Sequence, residues 1–552
     1  MNFVTYLAYK YFSKEKWTAL ALFFISLAYN VVQTNGMTKI TSNIIQFAQT
    51  KQQAKVEEFF YYFVYIVIFF IALYWLFIHC QNMLLTKLRP WVRGQIVDLL
   101  LKTNNQKFSE ANFSKLNSPI NRITDCYYFI TNSVVSYWFP NMAYLLITSA
   151  YFSYINPIYG LVFLIGNIVL ITYYSLVLPS ILKNNDNYEK SVIKTDVHLI
   201  DLLNNVDKII YRGQSVNESD EFIKISNDSV KLGTYYYDMN NIHTIIMLSI
   251  IFLVVLISLW KLMNLYFKKK IDITMFIASF TLLLLYREKM TNVVEVLPDI
   301  VDSIGRTENV LMHFKHVNEN FLKIDEEGQY KKQKISFKKI QFHNVTYKYG
   351  NSAMNVFENR NYMMNTDGNE IIGITGPSGN GKSTFIKLLL RMYQCTGGKI
   401  TIDDTDISEI DPNYIRQEIT YVNQNSKLFD RKVVDNMLYG CSNPEVCNYF
   451  LEHILKYPNV TKLYRNTDIK NKQAGLLGEN LSGGQRQIVN MIGGLVNPSK
   501  ILVLDEPTNA LDPELKKEVL SLIKDFSRYK QAIIIITHDK DVFPMFTQQL
   551  QM

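Results

Sequence analysis

Gly376-Pro377-Ser378-Gly379-Asn380-Gly381-Lys382-Ser383-Thr384 joins an apolar strand pattern, Ile371-Ile372-Gly373-Ile374-Thr375, to a helical one, Phe385-Ile386-Lys387-Leu388-Leu389-Leu390. Strand, glycine-rich turn and helix in that order form a phosphate-binding loop. Glycines let the backbone aim its amides at phosphate oxygens, and the helix N-terminus adds positive potential. In such a loop Lys382 reaches the β and γ phosphates of a nucleotide, and the Ser383 hydroxyl coordinates Mg2+. The stretch therefore predicts an α/β domain built around a phosphate site.

Phosphoryl transfer also needs a group that orients the nucleophile in line. Ile501-Leu502-Val503-Leu504 is an apolar strand ending in Asp505 and Glu506. Asp505 is placed to hold magnesium through water, and Glu506 to polarise the attacking water. Leu481-Ser482-Gly483-Gly484-Gln485 is a glycine-rich helix entry able to offer amides and a hydroxyl to an anion. Taken singly, an acidic turn after a strand and a helix cap are ordinary structural features. Ordered behind a phosphate loop, they point to a nucleotide hydrolase.

Working outward toward the amino terminus, the chain changes character. Of its 552 residues 48% are hydrophobic and 19% charged, but the long uncharged runs all lie before Arg287. Segments 17–38, 59–80, 134–155, 157–181 and 242–263 are each long enough for a bilayer core, which takes about 20 apolar residues. Segment 17–38 reads as a first span rather than a signal peptide, because its apolar core is long and no small-x-small cleavage site follows. Asn156-Pro157 supplies the tight turn between the third and fourth spans. A sixth is shorter: only 273–286 lies uncharged between Asp272 and Arg287. Cytosolic placement of both the amino terminus and the nucleotide site requires an even number of crossings, so this helix is expected to continue through Arg287-Glu288-Lys289, with those charges facing water, protein or a cavity. The expected layout is a cytosolic segment 1–16, a six-span region 17–315 with long intracellular loops 81–133 and 182–241, a linker 316–335 and a soluble domain 336–552. Lys268-Lys269-Lys270 would lie in an external loop, against the positive-inside tendency.

Residues 336–552 resemble the nucleotide-binding domain of ATP-binding cassette proteins. Leu481 to Gln485 matches that family's signature letter for letter, Tyr421-Val422-Asn423-Gln424 its Q-loop, and Asn509-Ala510-Leu511-Asp512 its D-loop. The membrane half is similar to the six-helix exporter half-transporters: Asn121-Arg122-Ile123-Thr124-Asp125 resembles the first intracellular loop, and 201–213 the second, where a coupling helix docks on the ATPase. The resemblance implies an all-α six-helix transmembrane exporter domain followed by an α/β P-loop NTPase. It implies ATP and Mg2+ as ligands, with Glu506 as general base, His538 as the switch histidine on the γ phosphate, and Gln424 joining Ser383 and Asp505 around the metal. Tyr349 would stack on adenine, and the loop residues Gly376 to Thr384 would contact nucleotide. Gly483, Gln485 and Asp512 would also contact nucleotide, and Ser482 and Gly484 would act across a dimer, closing on the nucleotide held by Lys382 of the other subunit. A homodimer is favoured and a heterodimer with a second half-transporter is left open.

Several residues depart from the family pattern. Leu476 stands where exporters usually carry a glutamate. The helix after the signature lacks the usual arginines and contains Gly493 and Gly494, each costing about 1 kcal/mol against alanine in a helix interior. Only 14 residues follow His538, so an abbreviated carboxyl-terminal edge is expected.

The remaining composition narrows the function further. Net charge is +8 and no basic tail stands out, which argues against nucleic acid as a partner, since that would want a clustered basic face. Five cysteines without a Cys-x-x-Cys pair support neither a disulfide framework nor zinc, and Cys441 and Cys447 are expected to be ordinary thiols. The leading reading is ATP-driven export across a lipid bilayer by an integral, multi-pass protein with its ATPase in the cytosol. The rival is a membrane-anchored ATPase that regulates or gates without net transport. Aromatic side chains on the spans, among them Tyr61, Tyr62, Tyr65, Trp75, Tyr151 and Tyr173, suit an amphipathic or lipid-like cargo, or simply face lipid. Asn30, Gln33 and Asn35 line a polar cavity or satisfy one another.

Overall fold

A computed structural model describes residues 3–106, 117–311, 334–349, 354–377, 379–424, 427–462, 471–509 and 511–552. The chain forms two compact units, one made of Met1–Leu100 and Ala111–Lys323, the other of Leu101–Glu110 and Ile324–Met552.

The first unit is helical. After α1 (Phe3–Lys14), α2 (Lys16–Val31) runs through a π-helical turn, Val32–Met37, into α3 (Thr38–Gln49). Then come α4 (Gln53–Gln106), α5 (Asn117–Ser133), a second π turn Val134–Trp138, and α6 (Phe139–Ile155). The unit ends with α7 (Pro157–Asn204), the short α8 (Val206–Tyr211), α9 (Ser215–Phe267) and α10 (Ile273–Leu311). The expected turn at Asn156-Pro157 is present: the Asn156 side chain accepts the Tyr159 amide at 3.1 Å, and Pro157 opens α7, where its missing N–H costs nothing. Both long polar segments are continuations of apolar helices, α4 beyond Cys80 and α7 and α9 around α8.

Four helical stretches, Lys16–Gln49, Gln53–Lys102, Pro157–Asn204 and Ser215–Phe267, are long and apolar enough to cross a membrane. Segment 134–155 and the segment from Ile273 are helical too but more polar; Asn141, Thr148 and Ser149 sit on α6, and Arg287, Glu288 and Lys289 on α10. Aromatic packing fastens α6, α7 and α10 together. Phe163 meets Phe152 edge-on at 4.9 Å and Tyr286 at 4.8 Å, and the Tyr286 hydroxyl donates to Asn167 Oδ1 at 2.7 Å. This arrangement buries ring area while giving the one polar atom a partner. In contrast, Tyr61, Tyr62, Tyr65 and Trp75 on α4 are exposed, as a lipid-facing surface requires.

The second unit carries two sheets. One is antiparallel, in the order β2 (Phe357–Asn365), β1 (Lys339–Tyr347), β4 (Gly397–Ile402), β5 (Thr405–Asp406). The other has the order β6 (Ile419–Val422), β7 (Ile501–Asp505), β8 (Ala532–Ile536), β3 (Glu370–Thr375), β9 (Gln548–Gln551), with every pairing parallel. All residues of β7 and β8 are buried, as the continuous apolar runs of a doubly covered parallel sheet require. Helix α11 (Lys382–Leu389) follows β3 through the phosphate loop. Helices α12 (Pro444–Ile454), α13 (Gly483–Val496) and α14 (Pro513–Ser527) contribute the apolar layer on one face.

Three expectations need correction here. Strand β9 supplies a fifth strand within the 14 residues after His538, so the carboxyl-terminal edge of the sheet is paired rather than lost. Cys441 and Cys447 are joined in a disulfide, with Cα atoms 6.5 Å apart; the turn into α12 folds Cys441 back onto the helix's first turn, where Cys447 is fully buried. The two glycines of α13 are not simply a weakness. A Cβ on Gly494 would stand 2.5 Å from Val422 Cγ2 and 2.9 Å from Leu502 Cδ1, so glycine is what lets α13 lie directly on β6 and β7. Of the expected linker, 316–333 lies outside the described residues, as do Ser378 and Ala510. Ile335 is buried in the core of the second unit.

Candidate nucleotide site

Parallel pairing puts the carboxyl ends of β3, β7 and β8 side by side, with Ile374 opposite Ile536 and Asp505 opposite Ile536. Ligands in such sheets bind beyond these ends. Three segments far apart in sequence therefore converge: the phosphate loop after β3, Asp505-Glu506 at the end of β7, and Thr537-His538 after β8. The loop, Asp505, Glu506 and His538 line a cleft of about 550 Å³, with Thr537 buried behind it.

The loop turns as its glycines allow. Gly379 and Gly381 adopt φ of +89° and +86°, the left-handed region open to glycine, and Gly381 caps α11. Lys382 Nζ donates to the carbonyls of Gly376 and Pro377, each at 2.9 Å, which folds the ammonium over the loop's own backbone. Tyr349 lies on the cleft wall; its hydroxyl is 2.7 Å from Thr384 Oγ1, and its ring meets Tyr347 and Tyr393 edge-on. Asn380 does not line the cleft; its amide donates to the Met552 carbonyl at 3.2 Å.

On the opposite wall, Asp505 Oδ2 accepts hydrogen bonds from Ser383 Oγ at 3.1 Å and from Tyr421 Oη at 2.8 Å. Burial pushes the Asp505 carboxyl above its usual range, outweighing the lowering effect of those two donors. Glu506 is held more elaborately. Its φ is +51°, rare for a residue with a Cβ, and such strain persists only where neighbours over-determine it. They do: its amide donates to Ile536 O at 2.8 Å, and its carbonyl accepts from Gln487 Nε2 at 2.8 Å. Its carboxylate takes Thr537 Oγ1 at 3.2 Å and faces His538 Nδ1 at 2.7 Å.

Gln424 lines this cleft and a neighbouring one bounded by the start of α13. The other expected nucleotide contacts lie elsewhere. Ser482 caps α13 in a reciprocal box, its Oγ accepting the Gln485 amide at 3.3 Å while Gln485 Oε1 accepts the Ser482 amide at 3.0 Å. Gly483 borders the neighbouring cleft. Asp512 caps α14 through the amides of Glu514 and Leu515. None of Ser482, Gly483, Gly484, Gln485 or Asp512 lines the cleft that holds Lys382. Sequence reasoning gave no role to Tyr421, Gln487 or Thr537, which position the two acids. Tyr421 sits three residues before Gln424, and its strand pairs with β7, a spatial adjacency with no marker in a single sequence.

The fold and the site define a phosphate-loop ATPase domain joined to a helical membrane region. Residues 17–290 match the ABC transporter transmembrane region, and 360–509 match the ABC transporter domain. A β-(1→2)glucan export ATP-binding/permease protein of Bartonella quintana is 34% identical over 37% of this chain and 32% of its own length. A lactococcin-A transport/processing ATP-binding protein of Lactococcus lactis is 30% identical over 52% of this chain and 38% of its own. The chain thus matches about a third of the length of such curated relatives. Among solved structures, a bacterial Atm1-family ABC exporter with ATP bound superposes with a TM-score of 0.78, at 17% identity, over 98% of this chain and 93% of that one. The chain belongs to the ABC transporter family and has the architecture of a half-transporter, a multi-pass membrane region followed by an ATP-binding domain.

Proposed function

We propose that the protein is one half of an ATP-driven exporter that works as a dimer, with six membrane crossings per chain. The observation that carries this reading is the division of the site: Lys382, Ser383, Asp505, Glu506 and His538 share one cleft, while Ser482 and Gly484 stand apart from it. A nucleotide in the cleft is completed only by the signature helix entry of a second chain. Each chain carries both half-sites, so a homodimer would have two complete ones.

The phosphate loop and Lys382 cradle the phosphates. Glu506 accepts the proton of the attacking water, as its buried, strained placement beside His538 suits it to do. His538 orients that carboxylate and meets the γ phosphate when the cleft fills. Oxygen donors Ser383, Asp505 and Gln424 fit Mg2+, a hard cation that takes one or two carboxylates and would complete its shell with phosphate and water. When bound, Mg2+ would neutralise charge between the β and γ phosphates. Closure of two such domains on ATP would turn the membrane cavity outward, and hydrolysis would reset it.

The test uses vesicles with the ATPase side outward, comparing wild type with Glu506→Gln by mass spectrometry of their contents after ATP is added. Solute accumulation in the wild type alone establishes export. Hydrolysis by the wild type with no solute moved, in a preparation shown to be dimeric, would overturn export in favour of a gating role.

A further inference from the structure

A cavity of about 630 Å³ opens among α2, α4, α6 and α10 in the membrane unit. That volume falls within the range of small-molecule sites. Its walls carry six carboxamides: Gln33, Gln81, Asn82, Asn132, Asn141 and Asn292. Gln81 Nε2 donates to Asn132 Oδ1 at 3.2 Å and to Ser136 Oγ at 2.6 Å, which fixes one corner. The side chains of Gln33, Asn82, Asn141 and Asn292 make no hydrogen bond among the described residues. Amides within apolar helices do not persist against lipid; they face protein partners, water or a ligand. The two π-helical turns found among the unit's described residues both border this cavity, one contributing Gln33 and the other Ser136 and Tyr137. Such turns re-aim side chains and recur at functional sites.

Charge and shape narrow the ligand. Glu288 and Lys289 of α10 both line the cavity, and neither has an ion-pair partner among the described residues. Lys289 instead rests its ammonium 5.1 Å above the Tyr144 ring. One wall is aromatic, with Tyr29 edge-on to Phe70, Tyr74 and Phe77. The outward aromatics Tyr61, Tyr62, Tyr65 and Trp75 take no part in it. A lipid tail would leave the amides without partners, and a plain anion would meet Glu288. Carboxamides offer donors and acceptors together, as peptide groups do, and an acid beside a base matches a free ammonium and a free carboxylate.

We infer that this cavity is the cargo site and that its ligand is a short peptide with free termini, held by amide-to-amide hydrogen bonds, with Glu288 on the ammonium and Lys289 on the carboxylate. This inference rests on the export reading. It is tested on the dimer in nanodiscs, without nucleotide, by incubation with an equimolar library of free, N-acetylated and C-amidated tripeptides plus lysophosphatidylcholine, and mass spectrometry of what is retained.

Free tripeptides should be retained over both blocked forms, by about tenfold for each lost charge-assisted contact. Glu288→Gln, at an exposed position, should erase the preference against N-acetylation while keeping that against C-amidation; Gln81→Leu should lower retention of all three. A purely structural role for Glu288 would not produce that selective change. Retention of lysophosphatidylcholine in place of peptide, or no peptide retained, overturns the inference. Peptides that bind here but are not moved in the vesicle experiment would sink export and leave the site standing; ATP-driven movement of a different solute would do the reverse.

Discussion

His538 Nδ1 and Glu506 Oε1 lie 2.7 Å apart, a contact that ties the end of β8 to the end of β7 across the nucleotide cleft. The same carboxylate also takes the Thr537 hydroxyl, so its orientation is set from the β8 side. Removing the base should therefore affect turnover far more than binding. Glu506→Gln is expected to bind ATP as wild type does and to slow phosphate release by roughly 10²–10⁴-fold, the usual contribution of a positioned acid or base. His538→Ala should slow release too, by a smaller factor, because Thr537 still holds Glu506. Single-turnover phosphate release alongside nucleotide binding measures both, and near-normal release by Glu506→Gln would remove it from the base role.

Asp505 supplies a pH prediction with a definite sign. Burial raises its folded-state value, so it takes up a proton at a higher pH than a solvent-exposed carboxylate, and as pH falls it is lost as a metal ligand early. Tyr421 stabilises the ionised form by donating to Oδ2. Tyr421→Phe should therefore raise the Asp505 value further and move the acid limb of the hydrolysis profile to higher pH. An unchanged acid limb would show that another group sets it.

Lys530 is buried at the foot of β8, where its ammonium donates to the carbonyls of Asn497 and Ser499. Burial lowers its value to about 8. A lysine with a depressed folded-state value binds more protons unfolded than folded between that value and about 10.4. Stability then rises with pH across the window, since the cost of the buried charge is full below about pH 8 and fades as pH climbs toward about 10.4. Thermal unfolding in nanodiscs from pH 7.5 to 10 should show this rise for wild type and a smaller one for Lys530→Met. Equal slopes would mean that the buried amine does not titrate there.

Gly494 sets two effects against each other. Alanine would gain about 1 kcal/mol of helix propensity, but its Cβ would fall 2.5 Å from the stiff, branched Val422 side chain. Overpacking of this kind costs about 1–3 kcal/mol, so Gly494→Ala should be destabilising on balance. A Cβ on Gly493 would meet the Met437 carbonyl at 3.3 Å and the Asn436 carbonyl at 3.5 Å, near ordinary contact, so Gly493→Ala should be milder or neutral. Denaturant unfolding of the two variants checks the order, and the reverse order would show that α13 does not pack as described.

What the sequence made legible follows from how each feature is encoded. The phosphate loop, Asp505-Glu506 and Ser482 to Gln485 are contiguous, and their chemistry demands particular residue types at fixed spacing, so they could be read in order. Tyr421, Gln487 and Thr537 act through adjacency of strands and a helix, which a linear pattern does not carry. Strand β9 was missed for a different reason: Gln548-Gln549-Leu550-Gln551 is an edge strand with a single apolar side chain turned toward the core, too polar to resemble its buried neighbours. The Cys441–Cys447 disulfide was missed because a six-residue spacing matches no framework pattern, and only the turn into α12 brings the thiols together. In the membrane unit, length and charge found the apolar runs but gave no sign of the two π turns, since these depend on local backbone register and not on hydropathy.

The separation of Ser482 from the cleft of Lys382 also bears on inheritance. In the proposed homodimer each catalytic centre draws one half from either chain, so a Lys382-defective copy and a Ser482-defective copy, each inactive with its own kind, can rebuild one working centre when they pair. Their co-expression should complement, whereas either mutant paired with wild type should leave a single working centre and behave as a partial dominant.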